Sequence, residues 1–586
     1  MQVCKRSVYC GLVDEKFLDK EISLVGWVNK RRDHGNLIFI DLRDNTGIMQ
    51  LVLNPENSQE VINLAKDIRA EFVICVEGKV RKRSANAVNE KMKTGKFELI
   101  VNELQILNRA KTLPYQLEEA DNVEADLRLK YRYLDLRRKK MFDLFKLRSD
   151  VTFLIRQYFN SKNFLEIETP ILSKSTPEGA RDFLVPSRLQ IGKFYALPQS
   201  PQIYKQLLMA SGMDKYFQLA KCFRDEDFRS NRQPEFTQLD MEMSFVQESD
   251  VMGVVEGLVK LIFEKIFNKT LRLPFSQYSY DEVFQRFGTD KPDFRFGLEI
   301  KDITSLFEST KLKFLESVVE GGGKVGALFV KERDFSRSEL SNWEKFAKEK
   351  LGASGLLYIK ITDGQKLESP VSKFLPTNFA SEVQKLIPDT KTSGTIFIVA
   401  DEFTKAWEVL GSLRLELGKK LNLIDKDEFN FSWIIDFPLL EWDEKDKRWF
   451  AVHHPFTSPK GDIDKKNIKD IRARAYDLVC NGEELGGGSV RVHDSKVQKQ
   501  IFDILGIDQK EAKEKFGFLL EAQDLGFPPH GGFALGLDRL IMLLGKTDSI
   551  RDVIAFPKMQ SGICPMMQTP SFVDKKQLKE LGIKLK

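Results

Sequence analysis

The sequence predicts a multidomain α+β protein. Three features carry that expectation: a strand-rich region up to about residue 108, a polar-faced hairpin near the middle, and a glycine-punctuated apolar run entering a helix near the end. At 586 residues the chain is too long for one core, so roughly three or four domains are expected. With 42% hydrophobic and 30% charged residues, the composition is that of a soluble globular protein.

The first region offers five strand candidates: Ile22–Asn29, Leu37–Arg43, Ile48–Leu53, Phe72–Val80 and Phe97–Leu107. Asn45-Thr46-Gly47 reads as a turn and Gln59–Arg69 as a helix. Five strands with one helix suggest a small Greek-key barrel of OB type. Ile38 and Ile40 share one strand face, Phe39 and Asp41 the other. If the aliphatics fill the barrel, Phe39 is left outside, either to stack on a base or to cover a seam.

The central hairpin is Phe223-Arg224-Asp225-Glu226 followed by Arg232-Gln233-Pro234-Glu235-Phe236-Thr237-Gln238-Leu239-Asp240-Met241-Glu242. Its second strand alternates. Phe236, Gln238, Asp240 and Glu242 form a polar-aromatic face, and Thr237, Leu239, Met241 and Met243 back onto a core. A cation for phosphate and a ring for stacking suit a nucleotide. Taken alone, the same pattern also fits a solvated surface hairpin. Downstream, the run Gly531–Leu535 leads through Gly536-Leu537-Asp538 into a helix with Arg539 in its first turn and Gly545 at its end. Backbone amides and an arginine at a helix start suit a polyphosphate.

A second hairpin is legible from Asn481-Gly482, a strong turn signal between Ile471–Cys480 and Glu483–Val492. Two-residue pairing sets Val479 opposite Glu484, so Glu484 shares a face with Asp477. Two converging carboxylates suit Mg²⁺ bridging phosphate oxygens, or are simply solvated charges. Strict alternation puts Arg491 on the opposite face, although Gly486-Gly487-Gly488 is where a bulge could re-aim it.

Several alternatives are excluded. Gly545-Lys546-Thr547 is not a P-loop, because Leu540 stands where the motif requires glycine, and Gly323-Lys324 is followed by Val325. The cysteines (Cys4, Cys10, Cys75, Cys222, Cys480 and Cys564) are scattered, with no C-x-x-C. That argues against zinc and a disulfide scaffold and fits a reducing cytoplasm. No apolar run is long enough to span a bilayer, and Met1–Leu12 lacks a signal-peptide core. The net charge of +5 advertises no global nucleic-acid field, so RNA contacts would rely on local clusters such as Lys30-Arg31-Arg32.

Together, Arg224–Phe236 resembles motif 2 and Gly532–Arg539 resembles motif 3 of class II aminoacyl-tRNA synthetases. Phe164–Pro170, after the helical stretch Asp143–Phe159, resembles motif 1, which lies at the dimer interface in that family. The finer match is to the bacterial-type aspartyl members. It rests on Thr176–Asp182, Leu197–Gln202, His453-His454-Pro455-Phe456 and Gly486–Arg491, which occur in that order.

The resemblance implies a division into an OB-fold anticodon-binding domain (1–108), a charged helical hinge (109–140), a catalytic core in two parts (141–288 and 428–562), an inserted α+β domain (289–427) and a C-terminal extension (563–586). The core would be an antiparallel sheet flanked by helices. ATP and Mg²⁺ would serve the formation of aspartyl-adenylate, followed by transfer to tRNA-Asp, in a cytoplasmic homodimer. Arg224, Glu226 and Arg539 would be catalytic, and ATP would meet Arg224, Asp225, Glu226, Gln233, Phe236, Glu484, Gly536, Leu537, Asp538 and Arg539. Aspartate would meet Glu178, Ser200, Gln202, Lys205, Arg224, Asp240, His453, His454 and Arg491, with Lys205 and Arg491 reading its side chain. Adjacent histidines on a strand point apart, which favours His453 over His454 as the ligand contact. Asp477 and Glu484 would hold the metal, and Arg32, Phe39, Gln50 and Glu98 the anticodon. Strict and relaxed members differ in the loop Arg32-Asp33-His34-Gly35. His34 leans towards the relaxed form, which also charges tRNA-Asn, where strict members carry leucine. Asparaginyl and lysyl enzymes and a non-catalytic RNA-binding relative are the alternatives.

Overall fold

All five expected N-terminal strands form: β1 (Glu21–His34), β2 (Leu37–Asp44), β3 (Gly47–Leu53), β4 (Val73–Lys82) and β5 (Phe97–Asn108). They close a barrel in the order β1-β2-β3-β5-β4. The pairing is antiparallel except between β3 and β5. The helix Gln59–Asp67 lies between β3 and β4, capped by Ser58, whose hydroxyl accepts from the Val61 amide at 3.3 Å. Ile38 and Ile40 join Leu24, Val28, Leu51 and Leu99 in the barrel core, which leaves Phe39 on the outer face. The structure, a computed structural model, describes residues 5–35, 37–54, 56–175, 180–226, 231–362 and 366–585.

The chain divides into two compact units, Met1–Lys146 with Arg551–Ser571, and Leu147–Ile550 with Phe572–Lys586. In the first unit the barrel is followed by short helices, Ala125–Lys130 and Arg132–Asp135. There the buried carboxylate of Asp135 accepts from Arg132 at 2.6 Å and Arg138 at 2.8 Å.

The second unit is built on an eight-stranded sheet, ordered Ser276–Ser279, Phe431–Ile435, Ala475–Cys480, Glu483–Val490, His530–Gly536, Glu235–Ser244, Lys215–Phe223, Leu165–Glu166. Its interior is antiparallel, as expected, whereas each edge strand pairs in parallel with its neighbour. Of the stretch Phe164–Pro170, only Leu165–Glu166 forms strand, following the long helix Lys139–Ser161. The central hairpin folds as read, with Lys215–Phe223 against Glu235–Ser244 in register from Phe223↔Glu235 to Lys215↔Met243.

Between the two halves of this sheet, the chain builds a five-stranded sheet, ordered Lys301–Asp302, Lys324–Lys331, Gly394–Asp401, Leu357–Ile361, Leu367–Glu368. Both of its faces are covered, which explains the nearly continuous apolar run Val325–Val330. Leu328 and Val330 pack with Trp343 and Trp407 on one face, and Ala327 and Phe329 pack with Phe307 and Phe379 on the other.

Candidate active site

The alternation of Glu235–Ser244 places Phe236, Gln238 and Asp240 along one wall of a cavity of about 620 Å³. The opposite walls come from the Ala475–Cys480 and Glu483–Val490 hairpin, the 450–454 segment and the start of the helix Leu537–Leu544. Ser200, Gln202, Lys205, Arg224, Glu226, Gln233, Phe236, Asp240, His453, His454, Asp477, Glu484, Arg491, Gly536, Asp538 and Arg539 all line it. Two of the expected nucleotide contacts do not. Leu537 is 2% exposed and turned into the core, because the helix begins there with its apolar side inward. Asp225 is drawn away by an isolated bridge to Arg181, its amide donating to the Arg181 carbonyl at 3.0 Å. Glu178 lies outside the described residues.

The floor is a buried ionic cluster. Lys205 Nζ donates to Asp240 Oδ1 at 2.8 Å and lies 3.2 Å from Glu242 Oε2. Arg491 Nε donates to Glu242 Oε1 at 2.9 Å and its Nη2 to Oε2 at 3.2 Å. Glu242 therefore bridges the two cations, a role that the sequence reading missed although the residue stood on the polar face of the alternation. The floor exists only because residue 532 is glycine: a Cβ there would sit 1.8 Å from Glu242 Oε2. Burial pushes the Asp240 carboxyl up to about 6 despite the Lys205 ammonium beside it. Glu242 also suffers burial, but the Arg491 and Lys205 charges outweigh it and hold it down at about 2.

Arg491 reaches this floor through a β-bulge. Val479 pairs with Glu484 as expected, but Leu478 pairs with Gly486, so Leu485 is an extra residue on its strand. From there Gly487 stands opposite Asp477 and Ser489 opposite Ala475. Arg491 is thereby moved from the face opposite Glu484 to the cavity. The bulge falls one residue before the glycine run where it was anticipated.

Both histidines line the cavity. The 452–454 segment is not strand, so side-chain alternation does not apply to it. His454 Nε2 lies 2.6 Å from Arg491 Nη1. A guanidinium only donates, so Nε2 faces a donor, and Nδ1 likewise faces one, the Phe456 amide at 3.2 Å. Burial and the neighbouring Arg491 depress the His454 pKa well below its ordinary value, so the ring is neutral. His453 Nε2 lies 3.5 Å from Asp477 Oδ1, and that oxygen is buried with no hydrogen-bond partner among the described residues.

At the mouth, the Arg224 guanidinium sits over the Phe236 ring, 5.1 Å from its centroid. Glu226 accepts from Arg232 Nη1 at 2.8 Å. Asp538 Oδ2 accepts from the Thr237 amide at 2.7 Å and Oδ1 from Arg148, so this carboxylate splices strand to helix. Arg539 Nη1 donates to the Glu484 carbonyl and lies 4.0 Å from its carboxylate. Burial raises the Asp477 pKa, and Glu484 and Asp290 add to the rise against the pull of His453. Glu484 is depressed, since Lys291 and Arg539 outweigh the cost of burying it.

On the barrel, Arg32 Nη2 donates to Asp41 Oδ1 at 2.6 Å and to Gln50 Oε1 at 3.3 Å. Gln50 Nε2 donates to Glu98 Oε2 at 2.9 Å, and Glu98 also accepts from Arg81 at 2.7 Å. Phe39 stands opposite Arg32 in register, its ring 5.7 Å from that of His34.

Residues 124–560 match the family model of tRNA synthetases class II (D, K and N), and residues 22–107 match that of the OB-fold nucleic acid binding domain. The chain belongs to the class II tRNA synthetases of the D, K and N group. It is 49% identical over 598 residues to the aspartate–tRNA(Asp/Asn) ligase of Aquifex aeolicus (strain VF5), covering 99% of this chain and 98% of that protein. It is 51% identical over 585 residues to the ligase of the same name from Geotalea uraniireducens (strain Rf4), with the same coverage. Among solved structures, it resembles asparaginyl-tRNA synthetase from Pyrococcus horikoshii complexed with asparaginyl-adenylate (20% identity, TM-score 0.59, 94% of this chain and 98% of that one). That last likeness speaks to the fold.

Proposed function

We propose that this chain is an aspartate–tRNA ligase. It activates L-aspartate with ATP to give aspartyl-adenylate and pyrophosphate, then passes the aspartyl group to the terminal ribose of tRNA-Asp and of tRNA-Asn, releasing AMP. The observation that carries the reading is the floor: Lys205 and Arg491 are 1% and 2% exposed, both line the cavity, and Asp240 and Glu242 hold them in place by accepting hydrogen bonds from them. Two fixed cations suit a side-chain carboxylate, repel a lysyl ammonium and leave an asparagine amide poorly matched.

In this reading Ser200 and Gln202 address the α-amino group, and Arg224 serves both the substrate carboxylate and the α-phosphate. Adenine stacks on Phe236 in place of the Arg224 guanidinium, with Arg539 on its far side and towards the γ-phosphate. Glu226 and Gln233 complete the nucleotide's surroundings. No protein nucleophile is required: the residues hold carboxylate and phosphorus in line and stabilise charge on the phosphate oxygens. Asp477 and Glu484 fit a divalent cation, since among the described residues Asp477 Oδ1 is buried with no hydrogen bond, His453 Nε2 standing 3.5 Å away. When bound, Mg²⁺ supplies further charge stabilisation on those oxygens.

The domain division is assigned as read from the sequence, with 1–108 gripping the anticodon through Arg32, Phe39, Gln50 and Glu98 and the inserted 289–427 interrupting the core. Leu165, Ile171 and Leu172, all about half exposed, support a homodimer through motif 1. Among the described residues no helix is long and apolar enough to cross a membrane, and we place the enzyme in the cytoplasm. The test is amino-acid-dependent exchange of pyrophosphate into ATP, followed by charging of two purified tRNAs. Aspartate alone should support exchange, and both tRNA-Asp and tRNA-Asn should accept it. Exchange driven equally by asparagine or lysine would overturn the assignment.

A further inference from the structure

The carboxylate of Glu484 already has a partner that the chemistry above does not use. Lys291 Nζ lies 3.1 Å from Glu484 Oε2 and 4.0 Å from Asp290 Oδ2. Lys291 belongs to the stretch Gly288-Thr289-Asp290-Lys291-Pro292, which leads out of the catalytic sheet into the inserted domain. Gly288 turns the chain at φ +65, where a Cβ would meet the Trp407 carbonyl oxygen at 1.9 Å, so this exit is fixed in shape. Thr289 Oγ1 then accepts from the Lys291 amide at 3.1 Å.

The inserted domain braces the same stretch from behind. Arg414, on the helix Phe403–Lys420, is 1% exposed and has no carboxylate against its guanidinium among the described residues. It donates instead to three carbonyls of the exit segment: Phe296 at 2.7 Å, Asp293 at 2.8 Å and Gly297 at 3.1 Å. Its charged plane stacks on Phe296 at 3.9 Å and on Phe287 at 4.8 Å. A buried arginine spent on backbone carbonyls sets the position of a segment, and the side chain this segment delivers to Glu484 is Lys291.

We propose that Lys291 is a resident counter-ion, presented by the inserted domain, that neutralises Glu484 while the cavity is empty and so keeps a bare divalent cation off the Asp477–Glu484 pair. The cation then enters with the nucleotide, whose phosphate oxygens supply the negative charge that Lys291 offsets. Lys291 is a positioning residue acting through Glu484, and the inference rests on the reading of that carboxylate pair given above.

The test is Mn²⁺ binding to the full-length protein, followed by electron paramagnetic resonance with and without ATP, in wild type, Lys291→Gln, Lys291→Arg and Glu484→Gln. A neutral residue at 291 should tighten nucleotide-free Mn²⁺ binding at least tenfold and change binding in the presence of ATP much less, while arginine should behave as wild type. The Lys291 side chain is 39% exposed, and a melting curve of each variant verifies folding. Unchanged nucleotide-free affinity in Lys291→Gln, or a loss of ATP binding with Mn²⁺ affinity unaltered, overturns the counter-ion. If Glu484→Gln leaves Mn²⁺·ATP affinity unchanged, the carboxylate reading itself falls and takes the counter-ion with it.

Discussion

At the pocket floor, two carboxylates and two cations share a buried volume, and each survives there because of the others. Lys205→Leu removes one cation and leaves Asp240 and Glu242 with Arg491 alone. Exchange with aspartate should fall by at least about a thousandfold, while tRNA still binds in a filter assay; normal exchange would refute the pocket assignment. His530 shows a second consequence of burial. Its Nε2 lies 3.2 Å from Gln206 Nε2, its Nδ1 lies 2.8 Å from the Pro528 carbonyl, and burial lowers its pKa to about 4. A histidine depressed in the native state gives stability that is present above its unfolded pKa of about 6.5 and is lost as pH falls towards 4. The full effect is worth up to roughly 3 kcal/mol. Asp240, raised to about 6, acts in the opposite sense over the same window, because its native carboxyl takes up a proton first. The comparison should therefore be between wild type and His530→Asn. The stability deficit of the variant, measured by urea melts, should shrink as pH is lowered from 6.5 to 4.5, and a constant deficit would show that the ring is not buried neutral.

Strands and turns explain why some of this was legible and some was not. The alternation of Glu235–Ser244 gave Phe236, Gln238 and Asp240 their common wall because a strand has one fixed period. The Asn481-Gly482 turn fixed the pairing of Val479 with Glu484, and both turn residues carry positive φ, as that turn needs. The pairing of Asp225 with Arg181 was not legible, because a bridge between segments so far apart in sequence is a tertiary event. Lys291 escaped prediction because it comes from a loop nearly two hundred residues before its partner, with no periodicity to read. The hairpin also supports a sharp test. A Cβ at position 487 would stand 2.4 Å from Asp477 Oδ1. Gly487→Ala should push that carboxylate aside, raising the apparent KM for Mg·ATP about tenfold or more with a melting temperature within a few degrees of wild type. An unaltered KM would mean that Asp477 does not meet the metal–nucleotide complex.

On the scale of the whole chain, two compact units carry separable tasks in the proposed reaction, and a variant in one should leave the other's assay alone. Phe39→Ala, on the outer face of the barrel, should weaken tRNA charging by roughly 1–3 kcal/mol in kcat/KM, the worth of one stacked base, and spare adenylate formation. Equal losses in both assays would refute the barrel's role in tRNA binding. The barrel was readable from strand count and spacing and the antiparallel core sheet was expected from the family resemblance, whereas the parallel pairing of the two edge strands was not foreseen. Such pairings join segments such as Ser276–Ser279 and Phe431–Ile435, which are separated in sequence by the entire inserted domain.

The extra residue at Leu485 makes the distance from Glu484 to Arg491 a matter of parity. The two side chains are seven positions apart (491 − 484), an odd separation that strict alternation sends to opposite faces, and the bulge absorbs one position to bring them together. Deleting Leu485 alone would remove the bulge and leave an even separation, so both side chains stay on the cavity side of the sheet. Deleting one further residue makes the separation odd again and sends either the carboxylate or the guanidinium to the wrong side. Bulge-free length variants of this hairpin should thus divide into active and inactive by whether the separation that remains is even or odd.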